Sequence, residues 1–214
     1  MKLTAPKIPH KNLLGQGDVS LFVTEATLED LLFLGGDFTS QRATNVSLDE
    51  VWLEKAIFTQ ANMEQLMVRD GIFHGCDFSA ANCSSGSCIR VKFSGGRMAG
   101  IDVSGSTLQD VTFADCKLDM ANFRACKLTR VKFSNCALVE TDFQGATFTD
   151  VAFENCTLEK TVFNYCEVKN LDLRSSQLFD LRGWQSLRGA QIDTAQLTAV
   201  APELAMEIGL RVED

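Results

Sequence analysis

Residues 113–143 read FADCKLDMANFRACKLTRVKFSNCALVETDF, and this stretch repeats its pattern every five residues. A phenylalanine or leucine returns at each fifth position from Phe113 to Phe143, and a small or β-branched residue lies two positions before it. A period of five matches neither the 3.6 residues of a helical turn nor the two of a strand. The chain is therefore expected to turn a corner every five residues.

The same frame runs without a slip from Leu28 to Leu178, with weak members at Ala43, Cys83 and Cys88. Four corners close a square coil of twenty residues, in which the large and the small apolar residue both point inward. Stacked coils pair their backbones at about 4.8 Å, as neighbouring strands do, and residues twenty apart then lie on top of one another. One interior column is predicted to contain Phe73, Phe93, Phe113, Phe133 and Phe153.

Length and charge suit one acidic domain, since the chain has 214 residues and a formal net charge of −8. No apolar run approaches the ~18 residues of a membrane span, and the start, MKLTAPKIPHKNLL, lacks the pattern of a secretory signal. We expect a cytoplasmic protein with reduced cysteines and without a membrane partner. The acidic balance argues against direct binding of nucleic acid, which needs clustered Lys and Arg.

The segments ANFRACKLTRVKFSNC (121–136) and TDFQGATFTDVAFENCTL (141–158) resemble the pentapeptide-repeat family. The resemblance covers roughly residues 26–180 and implies an all-β fold, a right-handed quadrilateral parallel β-helix. The expected organisation is an N-terminal capping segment at 1–25, the repeat solenoid at 26–180, and a C-terminal helical cap and dimerisation segment at 181–214. Both ends of such a solenoid need covers, because open strand edges recruit other strands.

Six cysteines occupy the small inward position, and we interpret them as core residues, because free cysteine behaves as a small hydrophobe. Their spacings of ten and twenty match no zinc pattern. Stacked neighbours do fall within the distance range of a disulfide, but reducing conditions disfavour one. These residues are Cys76, Cys116, Cys126, Cys136, Cys156 and Cys166.

Two further cysteines, Cys83 and Cys88, take consecutive large-residue positions within NCSSGSC (82–88). They mark either a redox or ligand site or an underfilled coil that bends the solenoid. We favour the underfilled coil, since Arg90 is the only nearby group that could activate a thiolate.

Catalytic chemistry has little support in the sequence. The two histidines, His10 and His74, have no nucleophile at a motif-like distance, and no phosphate-binding loop or nucleophile elbow is present. We therefore expect no catalytic residues, no metal and no cofactor, and we do not expect an enzyme.

Two outward-facing groups near the N-terminal coils form a candidate partner surface. One group is acidic and contains Glu29, Asp30, Asp49, Glu50 and Asp70. The other is an apolar stripe of Leu32, Trp52 and Ile72. An exposed apolar stripe needs a cover or a partner: residues 1–25 folding back over it, or a second protein.

The C-terminal stretch predicts helical structure, with Asp193 or Thr194 capping a first helix, Pro202 opening a second and Gly209 ending it. It resembles the cap of the quinolone-resistance group of the family, whose C-terminal ends meet, and this implies a homodimer. A shield over the last coil of a monomer is the alternative. The apolar candidates for either role are Leu197, Val200, Leu204 and Ile208.

Two functions compete at this point. The first is a non-enzymatic interaction solenoid whose protein partner is unassigned. The alternative, implied by the resemblance, is a bacterial DNA mimic that binds DNA gyrase or topoisomerase IV and protects it from fluoroquinolones or toxins. B-DNA carries a charge per ~1.7 Å, whereas this chain spreads eight net charges over about eight coils, roughly one per 5 Å. We favour the interaction solenoid, because fold analogy alone carries the alternative.

Overall fold

The computed structural model describes residues 2–211 as a parallel β-solenoid of about eight turns with one C-terminal helix. This confirms the predicted fold class. Single turns of 3₁₀-helix cover Lys11–Leu13, Val19–Leu21 and Trp184–Leu187. The strands are β1 (Gly15–Gln16), β2 (Thr27–Glu29), β3 (Leu31–Leu34), β4 (Ser47–Asp49), β5 (Trp52–Glu54), β6 (Met67–His74), β7 (Ser87–Ser94), β8 (Thr107–Ala114), β9 (Lys127–Ser134), β10 (Thr147–Glu154), β11 (Thr157–Glu159), β12 (Glu167–Asp172) and β13 (Gln177–Phe179), and the helix is α1 (Thr194–Glu207).

Corners form every five residues because one residue in each repeat takes left-handed backbone angles. Asp70 has φ 51°, Met120 has 57° and Asn135 has 54°. Such a residue costs about 1–2 kcal/mol, and the main-chain hydrogen bonds between stacked coils offset that cost. Within residues 2–211 no Val, Ile or Thr takes positive φ, because β-branched residues tolerate this region least.

Coils stack with the predicted register of twenty residues. Strands β7, β8 and β9 pair in parallel, with Phe113 opposite Phe93 on one side and Phe133 on the other. The ring centroids of Phe93 and Phe113 lie 5.0 Å apart, and those of Phe113 and Phe133 4.9 Å apart, with 6° between the planes in both pairs. The predicted phenylalanine column is confirmed from Phe73 to Phe153.

The small inward residue, two positions before each large one, takes part in a repeated hydrogen bond between coils. Where this residue is polar, its side chain donates to a main-chain carbonyl oxygen of the preceding coil. Thr141 Oγ1 donates to the carbonyl of Leu118 and Thr161 Oγ1 to that of Leu138, each at 2.8 Å. The thiol of Cys136 makes the same contact with Phe113 at 3.5 Å. All eight cysteines are free thiols. Cysteine, serine and threonine thus share this position because each is small and each donates.

An internal cavity of about 40 Å³ lies at the coil that contains Cys83 and Cys88. Cys88, Phe93 and Val103 border it, and part of the surface of each side chain faces this cavity. Burial raises the pKa of Cys88 to about 12, which makes its thiol a poor nucleophile. The geometry favours the underfilled coil over a redox pair.

The first coil begins within the segment predicted as an N-terminal cap. Strand β1 pairs in parallel with β3, opposite Leu31 and Leu32, and Phe22 is 1% exposed. Its ring centroid lies 4.9 Å from that of Phe38. Phe22 therefore closes the interior at this end.

A single helix, α1, covers the last coil, where the sequence predicted two. Asp193 and Gln196 form a capping box at its start, and Gly209 (φ 82°) follows its end. Pro202 lies inside the helix and does not start a new one. The second half stays in place because Glu203 accepts hydrogen bonds from the main-chain N–H of Asp180 and from Trp184 Nε1, at 2.9 and 3.3 Å.

Candidate interaction surfaces

The buried side of α1 supplies hydrogen-bond donors to main-chain carbonyl oxygens of the last coil. The amide of Gln196 is 8% exposed, and its Nε2 donates to the carbonyl oxygens of Leu173 and Ser176 at 2.7 and 2.6 Å. Val200 is 1% exposed, and Leu204 packs against the same core. These two predicted cap residues therefore shield the end of the solenoid.

The other side of α1 is apolar and open. Leu197 is 49% exposed and Ile208 73%, and Met206 and Leu210 add to the same end of the chain. The four predicted cap and dimer residues therefore separate into a pair that packs on the core, the buried Val200 and the half-buried Leu204, and an exposed pair, Leu197 and Ile208.

Four acidic residues of the first coils remain at the surface, and we call them the acidic corner: Glu29, Asp30, Asp49 and Glu50. Glu29 and Asp30 are exposed, and Asp49 and Glu50 are half-buried. Burial and then repulsion by Asp30 raise the pKa of Glu50. The one ion pair here joins Asp49 to Arg69 at 3.6 Å, within the described residues. The acidic corner is therefore a site of unbalanced negative charge.

Asp70 does not lie on an open surface, contrary to the prediction from the sequence. It is 4% exposed and binds the guanidinium of Arg90 through both carboxylate oxygens, at 2.7 and 2.5 Å. Asp110, two coils on, binds Arg130 in the same way, at 2.8 and 2.7 Å. Burial alone would raise the pKa of Asp70, but the bonds from Arg90 and from the main-chain N–H of Lys7 lower it.

The cover over these two carboxylates is the N-terminal segment 2–14, which we call the strap. The main-chain N–H of Thr4 donates to Asp110 Oδ1 at 3.0 Å, and that of Lys7 donates to Asp70 Oδ1 at 2.7 Å. Lys11 pairs with Glu54, and its ammonium lies 4.6 Å from the centroid of the Trp52 ring. The strap therefore runs antiparallel to the coil order, against one side of the solenoid.

The predicted apolar stripe lies along this side. Leu32, Trp52 and Ile72 are each half-buried, and Trp52 Nε1 donates to Glu54 Oε1 at 3.1 Å. Of the two explanations open at the sequence level, a fold-back of the N-terminal residues accounts for Trp52.

The sequence predicted that residues 1–25 could fold back over the stripe, but it did not predict the hydrogen bonds that the strap makes with Asp70 and Asp110. The five-residue step of the strap is weak, but Pro6 and Pro9 lie three apart, and Thr4 and Lys7 precede them by two positions each. That period of three is the signal of an extended segment.

The histidines have local partners. His74 Nδ1 lies 3.0 Å from Ser94 Oγ, and His10 Nδ1 lies 2.7 Å from Asn12 Oδ1. In the part of the chain that the structure describes, no group of three or more His, Cys, Asp or Glu could hold a metal ion. Among residues 2–211, no helix has the length and hydropathy needed to cross a bilayer.

Two family models match the chain. One, described as a pentapeptide repeat region, matches residues 126–200, and the other, pentapeptide repeats in eight copies, matches residues 106–145. No curated protein matches.

Two solved structures are similar to this chain over most of its length. A trypsin-treated variant of QnrB1, a plasmid-mediated fluoroquinolone resistance protein, is 22% identical with a TM-score of 0.54, over 94% of this chain and 97% of its own. HetL, a pentapeptide-repeat protein involved in heterocyst differentiation regulation in the cyanobacterium Nostoc sp. strain PCC 7120, is 14% identical with a TM-score of 0.36, over 84% and 89%. The five-residue frame, the solenoid and the two family models, which together match residues 106–200, show that this chain contains pentapeptide repeats.

Proposed function

We propose that the protein is a non-enzymatic, cytoplasmic interaction scaffold and that the acidic corner is its partner surface. A solenoid places side chains on rigid, stacked coils, so a surface charge pattern is held without ordering a loop on binding. Such a preformed surface loses little conformational entropy when a partner docks.

The observation that carries this proposal is the unbalanced charge of Asp30 and Glu50. Asp70 and Asp110 take the same corner position as Asp30 and Glu50 on later coils. Each of these two carboxylates is bound by an arginine through two hydrogen bonds. At the first two coils the pKa of Glu50 is instead raised by burial and by its acidic neighbours. A cationic partner would relieve this repulsion, and electrostatic complementarity of this kind sets on-rate and specificity.

Charge reversal with a matched control tests the surface. Asp30 and Glu50 lie at left-handed corners, with φ 55° and 51°, as do the exposed Asp115 and Glu140, with φ 55° and 56°. Asp30→Lys/Glu50→Lys and Asp115→Lys/Glu140→Lys therefore change charge equally in the same backbone conformation. A photocrosslinking residue at position 29 of each variant reads out the partner in extracts of the source cells.

We expect one protein to be crosslinked in the parent and in the Asp115/Glu140 variant and to be lost in the Asp30/Glu50 variant. Equal crosslinking in all three would contradict the proposal. A crosslinker placed at position 140 should not capture the same protein.

A second candidate function is protection of a type II topoisomerase by DNA mimicry. The likeness in fold to the QnrB1 variant, over almost the full length of both chains, favours it, together with the net charge of −8. In this case the partner is DNA gyrase or topoisomerase IV, and the acidic corner stands in for phosphates.

A supercoiling assay with purified gyrase separates the two candidates. Protection predicts that the protein restores supercoiling in the presence of ciprofloxacin and that Asp30→Lys/Glu50→Lys restores less than Asp115→Lys/Glu140→Lys. If the drug inhibits equally with and without the protein, the topoisomerase candidate fails while the scaffold proposal stands.

We further propose that two copies associate through the open side of α1. Leu197 and Ile208 are exposed apolar residues at that end, together with Met206 and Leu210, and an exposed apolar patch marks an interaction surface. Light scattering should give the dimer mass for the parent and the monomer mass for Leu197→Glu/Ile208→Glu. Leu13→Glu, which alters an exposed leucine at the other end, should remain dimeric, and a monomeric parent would refute the assembly.

A further inference from the structure

The strap has the chemistry of a ligand for the side it covers. Residues 2–14 contain three lysines and no acidic residue, whereas the side beneath them presents Glu54, Asp70 and Asp110 as acceptors. Leu3, Pro6, Ile8 and Pro9 are half-buried, while Thr4, Ala5, Lys7 and His10 are exposed. We call the surface formed by Trp52, Glu54, Asp70 and Asp110 the strap groove.

The strap groove and the strap have matching spacings. Asp70 and Asp110 are two coils apart, which is about 9.6 Å at ~4.8 Å per coil. Thr4 and Lys7, which supply the main-chain donors, are three residues apart, about 9.3 Å in a polyproline II chain. The intervening coil carries Arg90, so two acceptors that are two coils apart meet two donors that are three strap residues apart.

The strap sequence maintains this extended conformation. Prolines fix φ near −65° at positions 6 and 9 and push the preceding residues, Ala5 and Ile8, towards extended angles. His10 has φ −61° and ψ 139°, and Leu14 has φ −80° and ψ 144°, close to polyproline II values. Neither proline falls on a donor position, so the missing N–H groups are not needed.

The attachment of the strap is slight. Within the described chain, residues 2–9 make no main-chain to main-chain hydrogen bond. Their direct hydrogen bonds to the groove are the two from Thr4 and Lys7, which are of a kind that any extended chain can supply, because main-chain N–H groups do not depend on side-chain identity.

We propose that the strap groove binds extended, cationic, proline-containing segments of a partner protein, and that the strap is the resident occupant which such a segment displaces. Recognition comes from main-chain N–H groups at every third residue, which meet Asp70 and Asp110, and from a lysine that reaches Glu54 and the Trp52 ring. The strap groove adjoins the acidic corner, since Asp70 follows Glu50 on the next coil, but it consists of different residues and takes a different ligand, so the proposal goes beyond the function given above.

Binding of a fluorescent synthetic peptide with the sequence of residues 2–14 tests it. The full-length protein is titrated as the parent and as Thr4→Pro/Lys7→Pro, which removes both main-chain donors of its own strap. The tethered strap competes at an effective concentration in the millimolar range. We therefore expect the variant to bind the peptide at least tenfold more tightly than the parent. Equal affinity for the two, or no binding to the variant, would overturn the proposal.

A matched control peptide isolates the hydrogen bonds. Methylation of the main-chain nitrogens of residues 4 and 7 removes both donors and keeps every side chain and charge. We expect at least tenfold weaker binding of this peptide to the variant. If it binds as well as the unmodified peptide, charge alone drives the contact and the recognition proposed here is wrong.

Amide exchange in the parent protein gives a second readout that does not depend on the folding of the variant. The Thr4 and Lys7 amides should exchange at least tenfold more slowly than that of Ala5, and excess peptide should accelerate both. Absence of protection, or protection that the peptide leaves unchanged, would refute displacement. A dimer that dissociates in Thr4→Pro/Lys7→Pro would assign the groove to the strap of a second copy and overturn the partner proposal.

Discussion

Filling the internal cavity should stabilise the protein. Cys88 lies in a column between Val68 and Leu108, where its neighbours are larger, and it borders a cavity of about 40 Å³. Cys88→Val adds one methyl-sized group at a strand position that suits a β-branched residue. Its thiol has no part in any proposal above, so function should be unchanged.

The magnitude follows from the cavity volume. At roughly 24 cal/mol per Å³, an empty volume of about 40 Å³ corresponds to about 1 kcal/mol, and a buried methylene adds a transfer term of about 0.8 kcal/mol. Since the new methyl group fills only part of the space, we expect a gain of about 0.5–1.5 kcal/mol in the free energy of unfolding.

Urea denaturation followed by circular dichroism measures this gain against a control in a filled coil. Cys136 is 2% exposed, and the same substitution there should destabilise by about 1–3 kcal/mol through overpacking. If Cys88→Val lowers stability as Cys136→Val does, the coil is not underfilled, and the interpretation of Cys83 and Cys88 as core residues fails.

Three further changes test the interior, the cap and the ion pairs. Phe113→Ala should cost about 3–5 kcal/mol, because it empties a ring site between two stacked rings, whereas Thr112→Ala on the outer side should change stability by less than about 0.5 kcal/mol in the same urea titration; equal costs would refute the inward and outward assignment. Gln196→Leu should cost about 2–4 kcal/mol, because two buried carbonyl oxygens lose their donor, with loss of helical circular dichroism ahead of the sheet signal; a simultaneous loss would argue against a separate cap. The hydrogen bonds from Arg130 lower the pKa of Asp110, so its stabilising contribution is complete above the unfolded value of about 3.9 and is lost as pH falls through the folded value. Acid titration of stability should therefore be shallower below about pH 4 for Asp110→Asn than for the parent, and an identical acid limb would contradict the pairing.

The interior could be predicted from the sequence because a single local rule is repeated many times. The frame from Leu28 to Leu178 fixes which side chains point inward, and the stacked rings of Phe93, Phe113 and Phe133 follow from that frame and a twenty-residue coil. The corner position carries an additional signal. Its lack of Val, Ile and Thr within residues 2–211 reflects the positive φ required there.

The candidate surfaces could be predicted only in part. The sequence placed Asp70 on the outside, and the corner does face outward, but burial there depends on the strap. The contact between Lys7 and Asp70 joins residues sixty-three positions apart. It uses a main-chain N–H, so it cannot be predicted from a pattern of side chains. The sequence could not show which residues of α1 are exposed, for a similar reason. Val200 and Leu197 have similar hydropathy and differ only in what they pack against.

The alternation of acceptor and arginine along the strap groove limits how the chain can change length. Deleting one coil of twenty residues between Asp70 and Asp110 would keep every interior column in register, yet it would leave the two carboxylates one coil apart. The strap would then have one donor without its acceptor, because its own period of three residues spans two coils. The number of coils between Asp70 and Asp110 should therefore stay fixed, whereas the coils beyond Asp110 are free to gain or lose twenty residues at a time.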